Sequence, residues 1–424
     1  MSSDNSILDI DKLSILEEGR AKFLLYDKDI GSIPTKSMDV FYNNRMEINR
    51  DLTCLAVEVY KNHFNEENLI IIDSMAGSGI GAIRLLKECG PIKTIFINDI
   101  NPTAKKLINK NIKLNDLDNE KTDIRVSRKD ANFLFGEIVQ EYLTNNLSIS
   151  KKPNIISIDP FGTPNLYIDG AMKTIQKKNG LLCITATDTA VLFGVKPSAC
   201  RRKYMAKPLH NEFCKEIGMR ILLYFIARIA NINNLGIIPL LTFYHSHFIR
   251  AFIATFPEKK PIAKQIETYK FLIYCKNCGN SFTSNNNNIQ EKTVCEICGE
   301  DSNLDYAGPL WSERIHDADF LSKVYDLNTS WNLGNKNKLD RILTYCREEL
   351  RMPISYYNIH ELCKDIKTRS IPKMELLLDK IQKNGYRASR THFDFTSIKT
   401  DMDIISLKQL LSKIDREEKS NDIG

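Results

Sequence analysis

The chain has 424 residues, 42% of them hydrophobic and 26% charged, with a formal net charge of +6. That length and apolar content exclude a small disulfide-held or disordered protein and predict two or three domains with sizeable cores. The mild positive charge permits nucleic-acid binding without requiring it, because such affinity comes from local phosphate contacts. The amino terminus carries Asp4, Asp9 and Asp11 where a secretory signal would be positively charged, and apolar stretches such as 235–243 are too short to span a bilayer. A soluble, cytoplasmic protein is expected.

The first strong signal is Leu69-Ile70-Ile71-Ile72, a continuous apolar run that predicts a strand covered on both faces. Asp73 and the small-residue loop Ala76-Gly77-Ser78-Gly79-Ile80-Gly81 follow, then a helix expected from Ala82 to Glu88. A second strand, Thr94 to Asn98, ends at Asp99, 20 residues beyond Gly79. A strand, a glycine loop and a helix N-terminus let the backbone approach a ligand closely, and an acid at this distance hydrogen-bonds a ribose diol. Gly77, Gly79 and Gly81 do not make the full dinucleotide fingerprint, and there is no Walker lysine, so the loop alone also reads as a tight turn. Asp130-Ala131-Asn132, after Ile124-Arg125-Val126, adds a third strand-end acid, placed to read an adenine amino group.

The fourth strand, Ile155-Ile156-Ser157-Ile158, closes on Asp159-Pro160-Phe161-Gly162. Three strand-end acids followed by this tetrapeptide fit an S-adenosylmethionine site better than a nicotinamide site. The tetrapeptide looks like the active-site motif of enzymes that methylate exocyclic amino groups on nucleic-acid bases. An aryl-amine lone pair is delocalised into its ring, so a catalyst must hold the NH2 against fixed acceptors. Asp159 can accept from one N–H and the Pro160 carbonyl from the other. Phe161 offers a ring face for an extruded base, a contact of roughly 1–3 kcal/mol in single-strand binders. As local structure alone, D-P-F-G also describes a Pro-Gly turn.

Further along, Thr187-Asp188-Thr189 reads either as part of a base pocket or as a helix N-cap. Arg201-Arg202-Lys203 with Lys207 forms one basic cluster, and Arg387, Arg390 and Lys399 form another; each reads as a phosphate contact or as a solvated face. Cys214 to Ala230 reads as a long helix, and strands follow at Ile237 and Phe248. His245 and His247 alternate there, as a base or metal pair or as ordinary sheet residues. Strand–helix alternation up to about residue 258 predicts a doubly wound, mainly parallel sheet, whose ligand sites lie beyond the strands' carboxyl ends, where Asp73, Asp99, Asp130 and Asp159 fall.

Cys275, Cys278, Cys295 and Cys298 form C-x2-C-x16-C-x2-C, with Gly279 and Gly299 directly after the pairs. Two such knuckles supply the tetrahedral thiolate set of a structural zinc, in a module of about 270–305 whose polar loop holds the asparagines at 285–288. Helices are then expected over Lys338 to Leu350, His360 to Lys367 and Lys373 to Asn384, an extended stretch over Tyr386 to Phe395, and a charged, frayed tail from Arg416 to Gly424.

These motifs, taken together, resemble the tRNA (guanine(26)-N(2))-dimethyltransferase family. The resemblance is carried by Val40-Phe41-Tyr42-Asn43-Asn44-Arg45-Met46, Asn49-Arg50-Asp51, Asn98-Asp99-Ile100, Asp130-Ala131-Asn132 and Asp159-Pro160-Phe161-Gly162. It continues through Thr185-Ala186-Thr187-Asp188-Thr189-Ala190, Cys200-Arg201-Arg202-Lys203-Tyr204, Gly308-Pro309-Leu310-Trp311 and Ser389-Arg390-Thr391-His392-Phe393, and so spans nearly the whole chain. It implies that Arg50, Asp99, Asp130 and Ala131 bind S-adenosyl-L-methionine beside Asp73, Gly77 and Gly79. It further implies that Asp159 is catalytic and acts with Pro160 and Phe161, and that tRNA is the partner. Where the family usually carries an arginine after the Gly-Ile of the loop, this chain has Gly81, so Arg84, Arg45 or water would take that contact. Phe41, Tyr42 and Arg45 are expected either to fold over the cofactor or simply to pack.

The fold class expected is α/β: a Rossmann-like methyltransferase domain over 1–258 and a C-terminal α+β, tRNA-binding domain over 259–424 that contains the four-cysteine zinc module. Two rival readings remain at this point: an amino-methyltransferase acting on DNA, and a catalytically silent RNA-binding zinc protein. Whether one methyl group is transferred or two, and to which tRNAs, is not written in the spacing or the charge.

Overall fold

The computed structural model describes residues 13–31, 38–117, 121–144, 151–284 and 294–421. Asp4, Asp9 and Asp11, the asparagines at 285–288 and the last three residues of the tail lie outside the described residues. The chain forms two compact units, one of residues 1–185, 252–255 and 323–339, the other of 186–251, 256–322 and 340–424. These units interleave in sequence instead of meeting at one cut near 258, because a strand segment and a helical segment return to the first unit.

The first unit begins with a hairpin of β1 (Leu13–Glu18) and β2 (Ala21–Tyr26), paired antiparallel from Leu13↔Tyr26 to Glu18↔Ala21 around Gly19. Helix α1 (Glu47–Phe64) buries Ile48, Leu52, Leu55 and Val59, a helical spacing of apolar residues, and ends on Asn65 in the left-handed region. The strand–helix series then runs β3 (Leu69–Asp73), α2 (Ile80–Glu88), β4 (Ile92–Asn98), α3 (Pro102–Leu114), β5 (Asp123–Ser127), α4 (Ala131–Thr144), β6 (Ile155–Ile158), α5 (Asn165–Thr174) and β7 (Leu181–Ala186). Helix α3 starts where Pro102 presets the first turn and the Asn101 side chain accepts from Thr103 N.

The parallel strands lie in the order β5-β4-β3-β6-β7, with Ile71 opposite Ile95 on one side and Ile155 on the other. The order reverses between β3 and β6, the switch point at which such sheets hold ligands. Every residue of β3 except Asp73 is buried, as a strand covered on both faces requires.

The second unit contains α6 (Thr189–Leu192), α7 (Pro197–Tyr204), α8 (Cys214–Ile232) and the hairpin of β8 (Gly236–His245) and β9 (Phe248–Phe256). The later half of β9 lies in the first unit, where Asn179 N donates to Thr255 O and Thr255 N donates to Gly180 O just before β7, extending the order to β5-β4-β3-β6-β7-β9. After α9 (Lys259–Glu267) comes a three-stranded antiparallel sheet, β11 (Ser281–Thr283), β10 (Tyr269–Cys275) and β12 (Leu304–Trp311), in that order.

Helices α10 (Ala318–Ser330) and α11 (Lys336–Glu348) precede a small α+β core. It comprises β13 (Tyr357–Asn358), α12 (Ile359–Asp365), α13 (Met374–Lys383), β14 (Ala388–Arg390), β15 (Ser397–Thr400) and α14 (Ile404–Asn421). Leu377, Ile381, Ile398, Leu407 and Leu411 form its interior. The extended stretch expected over 386–395 is only β14 followed by turns, since its Thr391, His392 and Phe393 are held inward by side-chain contacts. The tail expected to fray from Arg416 is instead helical to Asn421, because α14 is anchored upstream by Leu407, Leu411 and Ile414. Among the described residues no helix is long and apolar enough to cross a membrane.

Candidate active site and cysteine cluster

At the carboxyl edge of the first unit's sheet, the four acids expected there stand at the ends of successive parallel strands: Asp73 closes β3, Asp99 follows β4, Asp130 precedes α4 and Asp159 follows β6. Asn98, fully buried, ties three of these strand ends together. Its Nδ2 donates to the carbonyls of Ser74 (3.0 Å) and Lys129 (2.9 Å), and its Oδ1 accepts from Ser127 Oγ (2.6 Å) and Lys129 N (3.1 Å). Asp99 braces the glycine loop, accepting from Gly77 N on one oxygen and Asn101 N on the other, both at 2.8 Å. Asp130 accepts from Asn132 N at 2.9 Å and so caps the first turn of α4, which begins with Ala131.

Gly77 sits at φ +54°, and a Cβ there would lie 2.8 Å from the Phe41 carbonyl oxygen. Glycine is therefore what lets residues 40–43 cross the loop. That crossing brings the Phe41 ring to 4.3 Å from Phe161, edge to face at 79°. Phe161 is half exposed beside Asp159, the position from which a ring can receive a base. Tyr42 packs on Phe23 at 4.9 Å and donates to Glu18 at 3.1 Å, while Arg45 is exposed.

Sequence reasoning missed Asn49. It is buried on α1, and its Nδ2 faces Asp159 Oδ2 at 3.4 Å and Thr185 Oγ1 at 3.5 Å, while its Oδ1 has no hydrogen-bond partner among the described residues. The only signal was its place in the Asn49-Arg50-Asp51 triplet.

Arg50 forms a bidentate pair with Glu18, Nε and Nη2 each 2.6 Å from a carboxylate oxygen. Its Cδ lies 4.0 Å from where a Cβ on Gly81 would stand, and Asp73 Oδ2 lies 3.7 Å from that point. Position 81 thus faces Asp73 and Arg50 with room for a side chain. Arg84 does not substitute for the missing arginine: its side chain is fully buried and held by Asp51 (2.6 Å), Glu88 (2.8 Å) and Glu18 (3.0 Å). Burial alone would raise the Glu18 pKa, but the guanidinium groups of Arg50 and then Arg84 overcome it and hold the carboxyl below its usual 4.5.

In the second unit Asp188 precedes α6 but makes no side-chain cap; its carboxylate accepts from Tyr204 Oη (2.7 Å) and Lys203 Nζ (3.2 Å). Of the nearby basic cluster, Lys207 pairs with Asp305 and lies over the Tyr306 ring, leaving Arg201 and Arg202 exposed. Of the other cluster, Lys399 is 2% exposed and bound to Glu216, so it is no surface cation. His245 and His247 both pack edge-on against Phe248 and join no metal-ligand group among the described residues.

Cys275, Cys278, Cys295 and Cys298 come together at the ends of β10 and its facing turn. The two knuckles repeat one geometry. Gly279 N donates to Cys275 O and Gly299 N to Cys295 O, with both glycines at positive φ. Cys275–Cys298 and Cys278–Cys295 sulfurs are each 3.6 Å apart, too far for a disulfide. A tetrahedron with metal–sulfur bonds of about 2.3 Å has edges of about 3.8 Å, so the spacing fits a four-thiolate metal site.

A second group, His316, Cys346, Glu349 and His392, is wholly buried. There His316 Nδ1 accepts from Thr242 N at 3.3 Å, which puts its proton on Nε2, 3.5 Å from Glu349 Oε1, and His392 Nδ1 donates to the same carboxylate. His392 thus donates to this carboxylate and His316 faces it, a buried polar cluster in which Nε2 of both histidines has no hydrogen-bond partner among the described residues.

Comparison with known proteins gives one family. The profile described as N2,N2-dimethylguanosine tRNA methyltransferase matches residues 19–412. The tRNA (guanine(26)-N(2))-dimethyltransferase of Methanosphaera stadtmanae is 34% identical over 405 residues, 96% of this chain and 98% of that protein. The enzyme of the same name from Methanobrevibacter smithii is 33% identical over 95% of this chain and 98% of its own length. Among solved structures, Trm1 from Pyrococcus horikoshii in complex with S-adenosyl-L-methionine aligns with a TM-score of 0.77 at 30% identity, over 94% of this chain and 99% of that one.

Proposed function

The chain belongs to the N2,N2-dimethylguanosine tRNA methyltransferase family, and from that premise we propose that it methylates the exocyclic N2 of guanosine 26 in tRNA with S-adenosyl-L-methionine as donor. The observation that carries the reading is the constellation at the end of β6: Asp159 beside the buried Asn49, with Phe161 facing Phe41 across the glycine loop. The DNA and silent-binding alternatives draw no support from relatives that span nearly the whole chain under a tRNA methyltransferase name.

The residues fit the donor by their chemistry. The backbone can approach at Gly77 and Gly79, Asp99 keeps lone pairs for a ribose diol beyond its two loop bonds, and Gly81 leaves space beside Asp73 and Arg50. We assign Arg50, Asp73, Gly77, Gly79, Asp99, Asp130 and Ala131 to this cofactor, and Asp159, Pro160 and Phe161 to catalysis. When bound, S-adenosyl-L-methionine supplies an electrophilic sulfonium methyl group, which the guanine N2 takes as the carbon–sulfur bond breaks.

Asp159 and the Pro160 carbonyl accept the two N–H bonds of the amino group and aim its lone pair; the proton released as the C–N bond forms passes to the Asp159 side and then to solvent. Asn49 fixes the carboxylate from behind. Phe161 and Phe41 hold the base, offsetting the few kcal/mol that extruding a nucleotide costs. Alignment dominates the rate, because the donor is already electrophilic.

The four cysteines would hold a structural zinc, with four protein sulfurs leaving no open position for chemistry. Residues 1–258 would serve catalysis and 259–424 tRNA binding, in the cytoplasm with the tRNA pool. The test is to incubate the purified protein with S-adenosyl-L-methionine and an unmodified tRNA transcript, digest, and identify nucleosides by mass. N2-methylguanosine or N2,N2-dimethylguanosine at position 26 is expected, and their ratio reports whether transfer repeats. Cofactor binding without tRNA methylation would overturn the assignment.

A further inference from the structure

We propose that a cavity of about 730 Å³ in the second unit binds backbone phosphates of the tRNA. Its walls come from β10, β11, residues 312–316 after β12, and the turn at 349–354 after α11. The lining holds six cations against two carboxylates, Glu313 and Glu349, and the location of the excess decides the reading. The floor is balanced. Arg220 (5% exposed) and Lys399 (2% exposed) share Glu216, at 3.0 Å and 2.6 Å, while Glu349 faces His316 and His392. Arg387 is matched by Asp401 at 2.7 Å.

The excess therefore sits on Lys270, Arg314 and Arg351, which form no ion pair among the described residues and have only the exposed Glu313 left in the lining to set against them. Arg314 and Arg351 are exposed and Lys270 is half-buried. Three cations against one exposed carboxylate around a concave, low-dielectric wall focus a positive potential that an anion relieves. A guanidinium fork matches phosphate oxygens two at a time. The three come from separate segments of the chain, an arrangement that engages several phosphates along a strand, and Phe282 in the wall offers a ring for a base. An RNA strand fits this better than a single small phosphate. The assignment rests on the reading that tRNA is the substrate.

The experiment uses the full chain and an unmodified tRNA transcript, with binding measured from about 50 to 200 mM salt, the range over which phosphate contacts are lost. In the triple variant Lys270→Ala, Arg314→Ala, Arg351→Ala, the slope of log K against log salt should fall by about 2, at roughly 0.7–0.9 per phosphate, and affinity should drop at least about tenfold at fixed salt. S-adenosyl-L-methionine affinity, measured by calorimetry, should be unchanged, and the urea midpoint read by Trp311 fluorescence in the second unit should match the parent's, which shows that both units stay folded. Arg314→Lys with Arg351→Lys should keep most of the slope. An unchanged slope in the triple variant, with tight binding by the parent, overturns the cavity assignment and leaves the proposed function standing. Failure of the parent to bind tRNA at all overturns both. Saturable binding of inorganic phosphate or AMP that the triple variant loses, with an unchanged tRNA slope, would make this a small-phosphate site and overturn the RNA assignment.

Discussion

Replacing Arg84 should destabilise the first unit more than replacing its partner Glu18, and the charges explain the asymmetry. Two guanidiniums, Arg50 and Arg84, stand against three carboxylates, Glu18, Asp51 and Glu88, with side-chain exposures of 15%, 0%, 2%, 0% and 3%. In Glu18→Gln, Arg84 keeps Asp51 at 2.6 Å and Glu88 at 2.8 Å, while Arg50 loses its charged partner and keeps the Asn43 carbonyl at 3.1 Å, one neutral amide oxygen at position 18 and partial access to water. In Arg84→Leu, Asp51 and Glu88 both lose their cation in a dry setting. Removing one partner of a buried pair costs about 3–5 kcal/mol, so Glu18→Gln belongs at or just below the low end, about 2–3, and Arg84→Leu at the high end.

Of the two tryptophans, Trp331 lies in the first unit and Trp311 in the second, so urea unfolding followed by fluorescence in a Trp311→Phe background reads the relevant unit. Because the folded Glu18 pKa lies below its ordinary 4.5, its stabilisation is complete above 4.5 and is lost as pH falls through the lower folded value. The gap between parent and Glu18→Gln should accordingly narrow below pH 4.5. A Glu18→Gln loss equal to or larger than that of Arg84→Leu, or a gap constant with pH, would refute the charge count.

Gly77→Ala places a Cβ 2.8 Å from the Phe41 carbonyl at φ +54°, so it should cost about 1 kcal/mol or more and displace Phe41. Turnover on tRNA should fall by about tenfold or more, since positioning supplies the rate; full activity would remove Phe41 from the site. Gly81→Ala meets only ordinary contacts, at 3.7 and 4.0 Å, and lies inside α2, so it should stabilise by about 0.5–1 kcal/mol. A fall in its melting temperature would show that the space is not free. Asn49→Ala removes a donor to Asp159 and should lower kcat by about 10–100-fold, from the roughly 1.5–3 kcal/mol of a hydrogen bond to a charged group, with cofactor affinity unchanged. Cys278→Ser should abolish bound zinc by elemental analysis and lower the melting temperature; a retained equivalent of zinc would place the metal elsewhere.

The parallel sheet was legible because a strand buried on both faces reads as a near-continuous apolar run, and Ile70–Ile72 is such a run and Ile155–Ile158 is one broken only by Ser157, each followed by an acid. The cysteine knuckles were legible because their spacing is itself the chemistry. Helix α1 carried a readable repeat, Ile48, Leu52, Leu55, Val59, yet its first turn is also a motif, and the motif drew the reading. The β1–β2 hairpin was not legible: Phe23 and Leu25 gain their burial against Ile80 and Ile83, more than fifty residues away. Lys399 read as a surface cation for the same reason, since its carboxylate is Glu216, 183 residues earlier.

Asp99 shows why even a correctly placed acid was only partly read. The strand–loop–helix spacing predicts an acceptor for a ribose diol, and an isolated carboxylate at that point would satisfy the prediction while leaving the glycine loop without support. In the fold, one Asp99 oxygen holds Gly77 N and the other Asn101 N, so the same carboxylate sets the loop that approaches the ligand and the start of α3 behind it. Each oxygen retains a second lone pair, so bracing and ribose recognition do not compete. Asn98 next to it must then be an amide and not an acid. It donates to two carbonyls and accepts from a hydroxyl and an N–H, a set that a carboxylate, which lacks donors, cannot complete. Asn98→Asp should therefore disturb the strand ends more than Asp99→Asn, which keeps one acceptor oxygen for one of its two loop bonds.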